Sequence, residues 1–267
     1  LLTIDGDNGV GTLVGARALD AVMNAAAQTG IAAGFVRGSN HFGPIIPYSW
    51  RAAQAGFASI IASNATTTIA PSGGREARLG NNPIAFSMPC PNGDPVILDM
   101  ALSVVARAKI RDAQKRGEKI PDTWATDRDG LPTQDPAAAL DGILLPIGGY
   151  KGYGLSTMVD LFAGMLSGAA FLTHVKSWVD SPEEPQNLGH FFILIDTKRF
   201  APAEELARRM KDFADILHAT PPVDAARPVL MAGEPEMRAL ARAREQGISL
   251  PQSLIAFLEQ KAALTKG

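Results

Sequence analysis

Hydrophobic and polar positions along the first part of the chain follow the spacings of helices and strands. Alanines and aliphatic residues recur at helical spacing over residues 10–29, and Gly30 provides a natural stop. An apolar run at 31–36 predicts a short buried strand, and residues 46–54 predict the next helix. A further strand is predicted over 57–62. This alternation of helices and strands predicts an α/β core.

The rest of the chain is less regular but still patterned. Residues 64–95 are rich in Gly and Pro, with strand-like runs at 84–88 and 96–100, so we expect an ordered, functional loop region. A strand is also predicted at 190–196, and the apolar segment 155–171 predicts a buried helix. Amphipathic spacing predicts three more helices, over residues 103–116, 203–217 and 235–246.

Composition narrows the class of protein. The 267 residues are 46% hydrophobic and 19% charged, as in globular proteins that bury a substantial core. A net charge of −2 gives no basic surface for nucleic acid or an anionic membrane, and no apolar run reaches the length of about 20 residues needed to span one. Cys90 is the single cysteine, so we expect no intramolecular disulfide, a structural thiol and a cytoplasmic protein.

His41 is the strongest candidate for chemistry. It follows a predicted strand, in a loop bounded by Gly38 and Gly43. Reduction of a carbonyl by hydride needs a proton donor, and a histidine with a pKa of about 6.5 can serve near neutral pH. The alternative is a loop histidine that binds a backbone carbonyl. For His190 a buried structural role is favoured, and no histidine or cysteine spacing predicts a metal site.

Two glycine-rich segments are candidates for phosphate-binding loops. Residues 9–15 approximate a dinucleotide-binding fingerprint, but the residues before them do not predict a strand, so a Rossmann loop is not expected. Residues 148–154 precede a helix and contain Lys151, near backbone N–H groups that favour anions. A tight turn with a solvated lysine explains that segment equally well.

Asp99 ends the predicted strand at 96–100. An acid in this position can accept a hydrogen bond from a ribose hydroxyl. It can also cap the helix predicted to begin near Ser103, which is the interpretation favoured by the residues alone.

The order of the motifs is more specific than any one of them. The chain resembles the type-2 malate/lactate dehydrogenase family, which includes ureidoglycolate, sulfolactate and diketogulonate oxidoreductases and cyclic-imine reductases. The motifs that carry the resemblance extend over nearly the whole chain. They are DGDNGVG (5–11), GSNHFG (38–43), GGREARLG (73–80), NP (82–83), LDMA (98–101), ARAKI (106–110), PIGGYKGYGL (146–155), QNLGHFF (186–192) and GEPE (233–236).

The resemblance implies an α/β, non-Rossmann fold that binds NAD or NADP and a small 2-oxoacid or 2-hydroxyacid, usually as a homodimer. It implies a helix-rich α/β domain from residues 1–60 and 195–267 and a cofactor-binding domain from 61–194. Hydride transfer with His41 as acid/base is expected, without a metal. The implied cofactor contacts are Asp99, Met100, Ala101, Lys151, Gly233, Glu234 and Pro235.

The chain departs from the family pattern in three places. Family members begin with a helical segment carrying a Ser/His…Arg substrate motif, and residues 1–37 do not match it. We therefore expect that segment upstream of this sequence. Ala65 stands where relatives can carry serine, and Ala108 where many carry glycine. The open alternatives are a cyclic-imine carboxylate reductase of the same fold and a catalytically silent nucleotide-binding protein.

Overall fold

The computed structural model describes residues 1–264, with side chains through residue 262. Its strands are β1 (Leu2–Asp5), β2 (Ile31–Ser39), β3 (Phe57–Ser63), β4 (Thr67–Ile69), β5 (Leu79–Gly80), β6 (Ile84–Met88), β7 (Val96–Met100) and β8 (Leu188–Asp196). Its helices are α1 (Gly11–Thr29), α2 (Ile46–Gln54), α3 (Arg107–Arg116), α4 (Pro136–Asp141), α5 (Tyr150–Asp160), α6 (Ala203–His218), α7 (Glu234–Gln246) and α8 (Gln252–Leu264). Within this part, no helix is long and apolar enough to cross a membrane.

Six strands form the central sheet in the order β1-β2-β8-β3-β6-β7, and β4 and β5 form a small separate pair. β1 and β2 are parallel, whereas the other pairs of the large sheet are antiparallel. β8 lies between β2 and β3, so Val36 and Ser63 both align with His190. This register brings the ends of two distant segments beside one buried histidine.

Helices cover both faces of the sheet. α1 and α2 bury the first core cluster, which includes the fully buried Leu19, Ile45 and Phe192. A second cluster places Val159 of α5 and Ala163 against Phe191 on the other face. The result is a helix–sheet–helix arrangement with apolar residues on both sides of the central strands, as the predicted α/β class requires.

The predicted elements are largely confirmed, with three corrections. No strand is predicted before the glycines of residues 9–15, but Leu2–Asp5 form β1, a partly buried strand at the edge of the sheet. The helix predicted over 103–116 begins only at Arg107, because Ser103 forms an isolated β-bridge with Pro146 and the residues around it are bent. The helix predicted over 155–171 begins earlier, at Tyr150, and passes into a π-helical segment, Leu161–Leu166. It is not buried throughout, since Met158, Met165 and Leu166 are about half exposed or more. Apolar composition predicted burial, but the structure leaves one side of this helix uncovered.

The domain division stays a proposal. The boundaries at residues 60/61 and 194/195 fall inside β3 and β8, and the large sheet takes strands from both predicted units. Residues 265–267 of the predicted second segment lie outside the described residues.

Candidate active site

The loop that carries His41 connects β2 to α2. The register between β2 and β8 shifts between Val36 and Ser39, which is a β-bulge or irregularity at the point where the loop leaves the sheet. Gly38 adopts a φ of +61°, which glycine accepts without strain. The loop therefore departs sharply from the sheet edge, and His41 projects beyond the end of the strand.

The segment before α1 supports this loop from one side. Asn40 Nδ2 donates to the carbonyl oxygens of Asn8 (2.8 Å) and Gly9 (3.0 Å). A Cβ on Gly11 would lie 2.1 Å from the Asn40 carbonyl oxygen and 2.4 Å from that of His41. The glycines of residues 9–11 thus let the start of α1 approach the His41 loop, which is a packing role.

The segment that enters β8 supports the loop from the other side. The Gln186 amide oxygen accepts from the backbone N–H of His41 (3.0 Å), and that of Asn187 accepts from Gly38 (2.9 Å). The buried Tyr48 hydroxyl donates to the Phe42 carbonyl (2.7 Å), and burial raises the pKa of this phenol to about 12. These contacts hold the loop in one conformation.

The His41 side chain is exposed but covered on one face. Trp178 stacks on the imidazole, with ring centroids 5.5 Å apart and planes within 6°. Partial loss of water around the ring lowers the pKa of His41 below its usual 6.5. Nδ1 accepts a long hydrogen bond from the Gly43 N–H (3.3 Å), which favours a neutral ring protonated on Nε2. A weak bond of this length is readily opened when the ring gains a proton.

His190 is fully buried directly behind the loop. Nδ1 lies 2.8 Å from the Ser63 hydroxyl, Nε2 lies 2.8 Å from the Ser39 hydroxyl, and the ring stacks on Phe42 at 4.0 Å. Burial, with a smaller contribution from the nearby charge of His41, lowers the pKa of His190 to about 3. His190 is therefore neutral and connects the strands beneath the loop, in agreement with the favoured structural role.

Asp99 connects the loop to a cavity. Its Oδ2 accepts from the N–H groups of Ile45 (2.8 Å) and Ile46 (2.7 Å), so it caps α2 and not the helix that follows it in sequence. Burial raises the pKa of Asp99, these two hydrogen bonds oppose that shift, and the charge of Glu236 adds to it. The cavity beside Asp99 measures about 450 Å³, and Gly233 and Pro235 also line it.

The structure brings three of the expected cofactor residues to this cavity and places the others elsewhere. The Glu234 carboxylate receives hydrogen bonds from His218 (2.9 Å) and the Met231 N–H (2.7 Å). Burial alone would raise the pKa of Glu234, but these hydrogen bonds lower it overall. Met100 packs against the core, and Ala101, which follows β7, is partly exposed. Lys151 is exposed on the first turn of α5, away from the lining of this cavity.

From the residues alone, Asn40 is expected only as a hydrogen-bonding neighbour of His41, and Gln186 and Trp178 have no assigned role. The first two lie within motifs of the family resemblance, so the motifs contained a signal without showing what these side chains contact. Trp178 lies in an irregular segment outside every quoted motif. Its position against His41 depends on long-range folding.

The chain is similar to known dehydrogenases along its length. The malate/L-lactate dehydrogenase family profile matches residues 1–259. A malate dehydrogenase of Pyrococcus abyssi is 41% identical over 217 residues, covering 78% of this chain and 59% of the relative. A Δ1-pyrroline-2-carboxylate reductase of Ancylobacter novellus is 38% identical over 260 residues, covering 97% of this chain and 75% of the relative.

Solved structures agree with this match. Malate dehydrogenase from Entamoeba histolytica superposes with a TM-score of 0.91 at 29% identity, over 100% of this chain and 77% of that one. Other relatives are named as NAD(+)- or NADP(+)-dependent dehydrogenases. The matched motifs, the mixed α/β fold and these similarities lead to one conclusion: the chain belongs to the malate/L-lactate dehydrogenase family.

Proposed function

We propose that this chain, in its whole protein, is an oxidoreductase that transfers hydride between a nicotinamide cofactor and a 2-oxoacid/2-hydroxyacid such as malate or lactate. The observation that carries the proposal is the His41 loop. It presents one exposed imidazole, is fixed through Asn40 and Gln186, and adjoins a cavity through Asp99. Fixed geometry of this kind is what proton transfer in step with hydride transfer requires.

The cavity fits part of a nicotinamide dinucleotide. Gly233 has a φ of +89°, and a Cβ there would lie 2.9 Å from the Ile97 carbonyl oxygen, so only glycine lets the chain turn this closely beside the cavity. Asp99 and Glu236 supply carboxylates suited to accepting hydrogen bonds from ribose hydroxyls. The same charges disfavour phosphate here, so phosphates would need a separate contact. Lys151 is proposed for that contact on the strength of the family resemblance.

In this mechanism the bound cofactor supplies or accepts hydride. His41 supplies the proton to the substrate heteroatom in reduction and removes it in oxidation. The protonated ring is the acid, so the Gly43 N–H contact with Nδ1 opens when the ring charges. Gln186 and Asn40 keep the loop backbone in place through the proton transfer.

Replacement of His41 tests the assignment. His41→Gln should lower kcat by about 100-fold or more, within the range of general acid–base contributions, with little change in the Kd for NADH or NADPH. His174→Gln, at an exposed histidine in another segment of the chain, is the matched control. Wild-type turnover by His41→Gln would refute the role. Weaker cofactor binding together with lost turnover would indicate that the substitution disturbs the site.

A second candidate is reduction of a cyclic imine that carries a carboxylate. The similarity to a Δ1-pyrroline-2-carboxylate reductase favours it, and His41 could protonate nitrogen as it does oxygen. Pyruvate, oxaloacetate and Δ1-pyrroline-2-carboxylate should be compared by kcat/KM with each cofactor. Binding of a cofactor without turnover of any substrate would instead support a silent nucleotide-binding protein.

We also infer a cytoplasmic homodimer. The single cysteine, Cys90, fits a reducing compartment. Partly exposed apolar residues along α5 and its π-helical continuation, among them Met158, Met165 and Leu166, offer a surface for a second copy. Sedimentation of the wild type and Met165→Glu tests this, with a shift from dimer to monomer expected for the variant.

A further inference from the structure

Trp178 is a large apolar side chain left open to solvent directly beside the proposed acid/base. The residue is 58% exposed, although its ring lies parallel to that of His41. The centroid distance of 5.5 Å is longer than the separation of about 3.5–4 Å expected for directly superposed rings in contact, so the two parallel rings are offset from each other. The indole therefore extends past the imidazole and borders the space in front of it.

The segment that carries Trp178 is tied to the His41 loop by one buried side chain. Gln186 is 5% exposed, and its Oε1 accepts from the His41 N–H while its Nε2 donates to the Lys176 carbonyl (3.2 Å). The Ser177 hydroxyl accepts from the Val179 and Asp180 N–H groups, which fixes the turn that holds the indole. Trp178 is thus held in place by bonds on both sides of it in sequence.

We propose, on the basis of the function proposed above, that Trp178 forms one wall of the substrate site and limits the size of substituent the 2-oxoacid can carry. Gln186 positions this wall relative to His41. A substrate whose heteroatom bonds to the His41 ring must place its remaining atoms in the neighbouring space, and the indole occupies one side of that space. The wall is flat and apolar, so it fits a small aliphatic group against its face and excludes a bulky one.

A second consequence is spectroscopic. A protonated imidazole in contact with an indole quenches the indole fluorescence, so His41 and Trp178 should report on each other. The charged groups on the Trp178 segment are Lys176 and Glu184, which are paired at 3.1 Å, and Asp180. Burial lowers the pKa of Arg107, and the charge of Asp180 opposes that shift. His190 faces the loop from β8 and is neutral above a pH of about 3.

The first experiment measures fluorescence of the full-length protein from pH 4.5 to 8. The wild type should lose intensity as pH falls through the His41 pKa, and both Trp178→Phe and His41→Gln should remove that change. The other tryptophans, Trp50 and Trp124, remain in each variant. Gln186→Leu should weaken the change, because the bonds that hold the segment are lost. An identical pH response in wild type and Trp178→Phe would overturn the contact.

The second experiment measures kcat/KM for pyruvate and phenylpyruvate. Trp178→Ala should raise the phenylpyruvate-to-pyruvate ratio by about tenfold, a typical discrimination for one apolar pocket contact. The ratio for Trp178→Phe should lie between those of the wild type and Trp178→Ala. Val179→Ala, at the exposed neighbouring residue, should leave the ratio unchanged. If the wild type is active and the ratio is unchanged in Trp178→Ala, the proposal that Trp178 forms a wall of the substrate site is overturned. A wild type inactive on every 2-oxoacid overturns the proposed function as well.

Discussion

The substitution Gly11→Ala gives a direct test of how the His41 loop is positioned. The added Cβ would lie 2.1 Å from the Asn40 carbonyl oxygen and 2.4 Å from the His41 carbonyl oxygen. Carbon–oxygen contacts normally lie at about 3.3 Å or more. The loop or the start of α1 must therefore move by roughly 1 Å, and both contacted atoms belong to the residues that set the position of the imidazole.

The expected effect falls mainly on turnover. A displacement of about 1 Å in a catalytic group can lower the rate about 100-fold, whereas overpacking of this size costs about 1–3 kcal/mol of stability. A protein of this length can stay folded with that loss. We expect Gly11→Ala to reduce kcat about 100-fold, with a much smaller change in the Kd for NADH or NADPH, because the cavity at Asp99 and Gly233 lies at the other end of the loop.

The assay combines steady-state kinetics, cofactor binding by fluorescence and thermal unfolding. Asn24→Ala on the exposed side of α1 controls for a change elsewhere in the same helix. Asn40→Ala provides a second route, since it removes two hydrogen bonds to the segment before α1 without adding an atom. A folded Gly11→Ala protein with wild-type kcat, together with an unaffected Asn40→Ala, would refute this account of the loop.

Three further predictions concern charge. The pKa of His41 is lowered, so the ring loses its proton as pH increases through a value below 6.5. Over that range kcat/KM for reduction should fall and kcat/KM for oxidation should rise, which pH–rate profiles in both directions check. His190 has a lowered pKa of about 3 in the folded protein, so the unfolded state binds more protons between about 6.5 and 3. The free energy of unfolding should thus fall as pH falls through that window, by up to about 1.4 kcal/mol per pH unit. Urea unfolding of His190→Gln should not show this dependence of stability on pH. Asp99→Ala should lower the free energy of unfolding by about 1 kcal/mol, because the α2 cap is lost, and should raise the Kd for NADH. Asp99→Asn keeps an acceptor oxygen, so both the loss of stability and the rise in Kd should be smaller.

Local features of the fold could be predicted because local sequence decides them. The helix over 10–29 is recognisable from its spacing and its terminal glycine, and the structure ends α1 at Thr29 with Gly30 at a φ of +85°. The strand at 84–88 lies between Pro83 and Pro89, the strand at 96–100 follows Pro95, and β6 and β7 occupy those residues. In each case a glycine or proline coincides with a change of backbone conformation.

Pairings between distant residues could not be predicted in this way. The sequence favours Asp99 as a cap for the helix that follows it, but the helix it caps begins 53 residues earlier in sequence. Both helices need an acceptor near their N-terminus, and only the sheet order decides which one lies beside the end of β7. The exposed apolar side of α5 is a similar case, since hydrophobic spacing shows that a surface can be buried without showing what covers it.

The glycine motif at residues 9–11 shows how one local pattern can have two physical explanations. Glycine is required where the backbone approaches a phosphate, and equally where it approaches another segment of the same chain. The sequence does not predict a strand before these glycines and so disfavours the phosphate, but the structure does place β1 there. The structure supplies the other partner, the carbonyl oxygens of Asn40 and His41. The glycines therefore act on the proposed chemistry through the position of the acid/base loop, which is why their replacement should alter turnover before it alters cofactor binding.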